Sequence, residues 1–216
     1  MTVPPDTYAD DLYAVEASSS TTTRNGVITP FNIVVMLVVL GLIGVVGYGV
    51  YRSQQDTLNE GKAPDFTLRI YDDVNIPYSD ENLQMRFSGQ EIRLSDFKGG
   101  VVVINVWQSN CPPCHEEAEM LERVFREYEA SGVMFIGVNA KDPDRLAYEY
   151  LAQYNITYPN GLDRGDRIQD TYRTTGYPET FIIDPNGNIS KHFAGPVTEA
   201  QLRAEIEKAM KTGNGL

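Results

Sequence analysis

Apolar and polar positions change period several times along this chain, and each change marks an element. Phe31 to Tyr51 carries no charge and only one strongly polar residue, Asn32. At about 1.5 Å per residue this stretch reaches across the ~30 Å hydrocarbon layer of a bilayer, which predicts a single transmembrane helix. Ala63 to Leu68 predicts a short strand opening a folded domain. Met85 to Phe87 and Glu91 to Leu94, separated by Ser88-Gly89-Gln90, predict a β-hairpin. Val101 to Val106 is a β-branched and almost wholly apolar run, the pattern of a strand covered on both faces. Beyond Cys114 the period lengthens: Ala118, Leu121, Val124, Phe125 and Tyr128 recur among Glu and Arg, one apolar stripe on a helix.

The rest of the chain continues this alternation. Val133 to Asn139 predicts a second buried strand, and Pro143 to Tyr154 a second amphipathic helix entered by Asp142 and Pro143. Asp166 to Thr174 predicts a shorter helix. Gly176 to Asp184 reads as a turn feeding a third buried strand, and Asn186-Gly187 as the turn pairing that strand with Ile189 to Phe193. Thr198 to Met210 closes as a helix with Leu202, Ile206 and Met210 on one stripe. The order β-α-β-α, hairpin, α predicts an α/β domain with a mixed sheet flanked by helices.

Composition adds the flanking regions. Residues 1–30 are rich in Ser and Thr, carry Asp6, Asp10, Asp11 and Glu16, and predict a disordered tail. A cleaved secretory signal is shorter, closer to the start and led by basic residues, so residues 31–51 are read as a retained anchor with Tyr48 and Tyr51 near one interface. A linker at 52–61, a domain at 62–212 containing an acidic loop at 71–83, and a tail at 213–216 complete the expected organisation. Arg24 precedes the span while Arg52 and Lys62 follow it, so charge bias assigns no cytoplasmic side. The net charge of −12 argues against nucleic acid and anionic membrane surfaces as partners, since both call for Lys/Arg patches. No phosphate-binding glycine loop, Ser/His/Asp set or dinucleotide fingerprint is present.

Candidate chemistry concentrates at Cys111 and Cys114, the only cysteines in the chain. A buried strand leads into them and a helix leads out. Cys111 is thus expected at the helix mouth and Cys114 about one turn inside. Unpaired N–H groups and the positive dipole end there favour a thiolate, which makes Cys111 the attacking sulfur and Cys114 the resolving one. Pro112 and Pro113 preset φ where no N–H partner is needed. Two rival readings use the same residues. Cys111-Pro-Pro-Cys-His115 also fits covalent haem attachment with His115 as axial ligand, although a preceding buried strand and Trp107 favour a redox pair. Zinc or copper capture would draw on Cys111, Cys114, His115 and distant His192, without the paired spacing of a structural zinc site. The expectation is therefore no metal and no cofactor beyond a Cys111–Cys114 redox disulfide, with His115 facing solvent and His192 an ordinary strand residue.

Five segments, in order across residues 62–212, resemble the thioredoxin superfamily and within it the membrane-anchored TlpA/ResA/DsbE (CcmG) thiol-disulfide oxidoreductases. They are Ala63-Pro-Asp-Phe-Thr-Leu68, Leu94-Ser-Asp-Phe-Lys-Gly99, Val102-Val-Ile-Asn-Val-Trp107, Cys111-Pro-Pro-Cys-His-Glu-Glu117 and Gly176-Tyr-Pro-Glu-Thr-Phe-Ile-Ile-Asp184. The resemblance implies a thioredoxin fold with an N-terminal β-hairpin extension. It also implies that Pro178 is a cis-proline beside the active-site sulfurs, where the preceding backbone pairs with an extended client. Glu117 matches an acidic residue near the buried thiol, suited to exchanging a proton with Cys114. Trp107, Pro112, Pro113, Tyr177 and Glu179 are expected to contact substrate. Asn105 stands where ordinary thioredoxins carry a buried aspartate, which shifts proton transfer toward Glu117 or Glu179. Pro178-Glu179-Thr180 is most similar to the DsbE branch, which implies cytochrome c maturation with apocytochrome c as client and a membrane thiol-reducing donor, while the need for a compartment where thiols and disulfides interchange predicts an extracytoplasmic catalytic domain and a cytoplasmic N-terminal tail. A peroxidase is the contrasting enzyme class, since an Ala-Pro-Asp-Phe start resembles peroxiredoxins too. Those enzymes carry Thr three residues before the reactive cysteine, where this chain has Gln108.

Overall fold

The computed structural model describes residues 30–53, 58–72 and 86–213. The expected tail before Pro30, most of the acidic loop at 71–83, part of the linker and residues 214–216 lie outside these. The chain divides into two units, one ending at Arg52 and the other running from Ser53. In the first, helix α1 (Pro30–Ser53) contains Pro30–Gly49, long and apolar enough to cross a membrane by length and composition and buried nowhere along that stretch.

The second unit is built on a six-stranded mixed sheet. Its strands are β1 (Gly61–Lys62), β4 (Val101–Trp107), β5 (Val133–Asn139), β6 (Asn160–Leu162), β7 (Glu179–Ile183) and β8 (Asn188–Ala194), in spatial order β1-β8-β7-β4-β5-β6. β4, β5 and β6 run parallel, as their helical crossovers require, while β7, β8 and β1 pair antiparallel. The crossovers are α2 (Pro112–Tyr128) between β4 and β5 and α3 (Asp144–Gln153) between β5 and β6. A short α4 (Arg167–Tyr172) precedes β7, and α5 (Glu199–Gly213) ends the domain. Gly187 adopts φ +79 in the turn between β7 and β8, where its N–H bonds to the Asp184 carbonyl; the left-handed conformation explains the Asn-Gly pair.

All seven residues of β4 are buried, and alternation sends them to two different cores. Val101, Val103 and Trp107 join Leu121, Val124 and Phe125 of α2, Phe135 of β5, and Leu202 and Ile206 of α5. Val102, Ile104 and Val106 join Ile136, Val138, Phe181, Ile183, Ile168 and Tyr172 on the other face. Each such side chain stabilises the fold by roughly 1.5–3 kcal/mol through apolar area removed from water. This two-sided burial is what the unbroken apolar run in the sequence encodes.

One pairing differs from expectation. Arg86 and Phe87 lie in a helical turn, and Glu91–Arg93 (β3) pairs antiparallel with Thr67–Arg69 (β2) instead, Leu68 opposite Ile92. Both of those residues are buried in the second core. The N-terminal two-stranded sheet is therefore present, with its partner 24 residues upstream in place of the adjacent segment. Long-range packing of Leu68 and Ile92 outweighs the local turn signal.

Candidate active site

β4 delivers its chain to the site and α2 carries it away. Cys111 is the N-cap residue of α2, in extended backbone, and its Sγ accepts a hydrogen bond from the Cys114 N–H at 3.2 Å. Pro112 opens the helix, where no N–H partner is required. The two sulfurs form a disulfide. Cys111 is 8% exposed and Cys114 only 1%, so an incoming group reaches Cys111 first. The helix-mouth position predicted for Cys111 is observed. A thiolate formed there would meet the Cys114 N–H and the positive end of α2.

Glu117 follows Cys114 by three residues on the same buried stripe and is 3% exposed, whereas Glu116 and Glu119 face solvent. Asn105 Nδ2 donates to its Oε1 at 2.9 Å and the Val197 N–H to its Oε2 at 2.9 Å. Asn105 also donates to Thr180 Oγ1 at 3.1 Å, directly across the β4–β7 register. Burial pushes the Glu117 carboxyl up to about 7, the two hydrogen bonds only partly opposing it. A carboxyl poised near neutrality can both accept and return a proton.

Tyr177 and Pro178 are joined by a cis peptide bond. Val106 pairs with Glu179, so this bond lies at the same end of the sheet as the loop that carries Cys111. Pro112 is exposed, Pro113 and Tyr177 are half-buried, and a cleft of about 170 Å³ lined by Lys141, Asp166, Thr175 and Tyr177 runs alongside. A larger concavity of about 320 Å³ involves Val102 and Ile183, at the other end of β4 from the cysteines.

Two expected substrate contacts are corrected. Trp107 is 1% exposed, stacks on Tyr150 with ring centroids 4.2 Å apart, and donates from Nε1 to Asn160 Oδ1 at 2.9 Å. Gly137 makes room for that Asn160 amide, which a Cβ would meet at 1.6 Å. Glu179 is also 1% exposed, sealed because β7 is covered on both faces. It lies on the sheet face opposite Thr180 and Glu117, which removes it from proton transfer to Cys114. Burial raises its carboxyl, but hydrogen bonds from His192, Thr175 and Gly176 outweigh that and hold it below the usual carboxylate range.

His192 lies in strand β8 as expected, while His115 departs from expectation. His115 does not simply face solvent: Nδ1 lies 2.7 Å from Tyr154 Oη and Nε2 2.7 Å from the Ser109 carbonyl. Since the carbonyl only accepts, Nε2 carries a proton. Both ring nitrogens are engaged and both sulfurs are in the disulfide. Among the described residues, no three His, Cys, Asp or Glu side chains gather as a metal site. His192 bonds Glu179 through Nε2 at 2.9 Å. Residues overlooked in the sequence also shape the site. Tyr150 donates its hydroxyl to the Cys114 carbonyl at 2.8 Å, and Asp142 accepts from Ser109 N–H at 2.7 Å and Oγ at 2.8 Å. Tyr150 in α3 and Tyr154 at its C-cap, four apart, were the legible signal for one aromatic face.

Comparisons with known proteins agree with this geometry. The sequence profile of the AhpC/TSA family matches residues 60–192. The chain is 28% identical over 179 residues to the thiol-disulfide oxidoreductase ResA of Bacillus cereus, covering 82% of this chain and 94% of that one. It is 28% identical over 169 residues to ResA of Bacillus subtilis, covering 76% and 86%. A crystal structure of a putative thiol:disulfide interchange protein DsbE from Chlorobium tepidum superposes with a TM-score of 0.59 at 25% identity, covering 71% of this chain and 99% of that one. The chain belongs to the AhpC/TSA family and is a thiol-disulfide oxidoreductase of the ResA/DsbE type.

Proposed function

We propose that this protein is a membrane-anchored, extracytoplasmic reductase of client disulfides, with apocytochrome c as its client class. The observation that carries the reading is the asymmetry of the pair: Cys111 reachable at the helix mouth, Cys114 sealed on the stripe that also holds Glu117. The Cys111 thiolate attacks one sulfur of a client disulfide, forming a mixed disulfide and expelling a client thiolate. Glu117 takes the proton from the Cys114 thiol, and the resulting thiolate attacks Cys111 Sγ. That step closes the Cys111–Cys114 disulfide and expels the second client thiolate. Two electrons pass to the client, and a membrane dithiol donor returns them to the enzyme. No group other than the cysteine pair is required.

Pro112, Pro113, Tyr177 and Pro178 form the client-binding edge in this reading, with an extended client segment pairing to the backbone before Pro178. Similarity of Pro178-Glu179-Thr180 to the DsbE branch supports cytochrome c maturation. Helix α1 supports a single-pass anchor, since its uncharged stretch matches a bilayer in length. Residues before it are placed in the cytoplasm, because thiols and disulfides interchange outside.

The reduced full chain, in detergent, is expected to reduce a synthetic peptide carrying an oxidised Cys-x-x-Cys-His motif, two thiols appearing per protein disulfide formed. Protease added to intact spheroplasts should remove the C-terminal domain. Failure to reduce the peptide, or a protected domain, would each overturn the corresponding half of the proposal.

A further inference from the structure

Glu117 and Glu179 are both sealed, yet only the first sits on the side of the disulfide. The second does something else. Its Oε1 accepts from the Thr175 N–H at 2.6 Å, the Gly176 N–H at 2.9 Å and Thr175 Oγ1 at 3.1 Å. Thr175 and Gly176 are themselves exposed, so a surface loop turns its backbone donors inward onto a buried carboxylate. The other oxygen, Oε2, is held by His192 Nε2 from β8. Because an ionised carboxylate only accepts, His192 is the donor. The imidazole is in turn fixed by stacking on Phe181, its neighbour across the β7–β8 register, with centroids 4.5 Å apart and planes 22° from parallel. Beyond Gly176 the loop is pinned once more, where Tyr177 donates its hydroxyl to Gln169 Oε1 at 2.5 Å.

We infer that Glu179 and His192 form a clamp that positions the client-binding loop, holding the Thr175–Pro178 backbone in place before a client arrives. The inference rests on the reading that clients pair beside Pro178. A loop ordered in advance does not lose its freedom on binding, so the clamp acts on client affinity and not on sulfur chemistry. His192 is thereby a positioning residue: it touches no sulfur and no client, and acts through Glu179. Its stacked ring, 13 residues downstream of the carboxylate, closes the clamp from the neighbouring strand.

The test uses the full chain in detergent and the oxidised Cys-x-x-Cys-His peptide as client. His192→Phe keeps an aromatic ring over Phe181 and removes the donor. A hydrogen bond to a charged group is worth about tenfold in an equilibrium, so KM should rise about tenfold with kcat lowered less than about twofold. Hydrogen exchange at the Thr175 and Gly176 amides should accelerate by a similar factor. His192→Gln, which restores an N–H donor, should recover most of both. Thr175→Val removes one surface hydroxyl and cannot unfold the domain; it should raise KM about threefold, as the loss of one weaker bond does, and it keeps the test decisive should His192→Phe not fold. Unchanged amide exchange, or faster exchange with KM unmoved, would overturn the clamp. If the wild-type protein itself does not reduce the peptide, the client reading has failed and the clamp falls with it, an outcome visible before any variant is compared.

Discussion

Cys111→Ser is expected to remove disulfide exchange altogether, while Cys114→Ser performs the first attack and then stalls as a mixed disulfide. The asymmetry follows from position. Cys111 Sγ sits at the N-terminus of α2 and accepts the Cys114 N–H, and Cys111 is the more exposed of the two residues. Serine at that position offers no comparable nucleophile, because exchange proceeds through a thiolate that the helix mouth stabilises. Cys114, only 1% exposed, is the resolving sulfur in the proposed function and would serve only the second step. Mass spectrometry of the full chain after incubation with the disulfide peptide should find a covalent adduct in Cys114→Ser and none in Cys111→Ser. Adducts on Cys114 in the Cys111→Ser protein would reverse the assigned roles.

Glu117→Gln carries the second large effect and acts on rate and stability in opposite directions. Burial holds the folded-state carboxyl at about 7 against an ordinary 4.5. The folded oxidised protein therefore binds this proton more tightly than the unfolded chain does. Its contribution is fully present below about pH 4.5 and is lost as pH rises through about 7, a change of up to about 3 kcal/mol. The Gln variant lacks that slope, so between pH 4.5 and 8 its stability relative to wild type should improve by up to about the same amount. Over the same change the resolving step should slow by about 10²-fold and lose its rise with pH near 7, since general base catalysis is worth that much. Denaturant unfolding across pH, paired with stopped-flow measurement of mixed-disulfide decay, separates the two. A variant resolving at the wild-type rate would leave Glu117 without a chemical role.

Glu117 was singled out by the family resemblance and not by the apolar period, since a glutamate flanked by Glu116 and Glu119 also fits a solvated helix face; its burial on the stripe of Cys114 and Leu121 is what the structure adds. The strands β4 and β5 were plain, because burial on both faces leaves an apolar run that no helix period interrupts. The partnership of Glu91–Arg93 was not. Three residues of exposed-buried-exposed character fit almost any neighbour, and only the shared burial of Leu68 and Ile92 selects β2. Trp107 and Glu179 were misjudged for a related reason: membership of a site motif says nothing about which way a side chain faces in a sheet covered on both sides. The His192–Glu179 contact was recoverable in principle. Placing the Asn186-Gly187 turn sets His192 opposite Phe181, one pleat from Glu179 on the same face. His115 is different, because its partners Tyr154 and Ser109 come from a separate helix and a loop, and no local period joins them.

The claim that this protein reduces its clients meets its most direct test in the reduction potential of the Cys111–Cys114 couple, measured on the full chain in detergent against graded thiol buffers. A helix-mouth thiolate favours the dithiol form and pushes the potential upward, so a reductive value is not guaranteed by the motif. The reading advanced here predicts a potential near or below about −270 mV, the thioredoxin value. A potential near about −120 mV, that of a strong disulfide donor, would contradict it and make the protein an oxidase of the same fold.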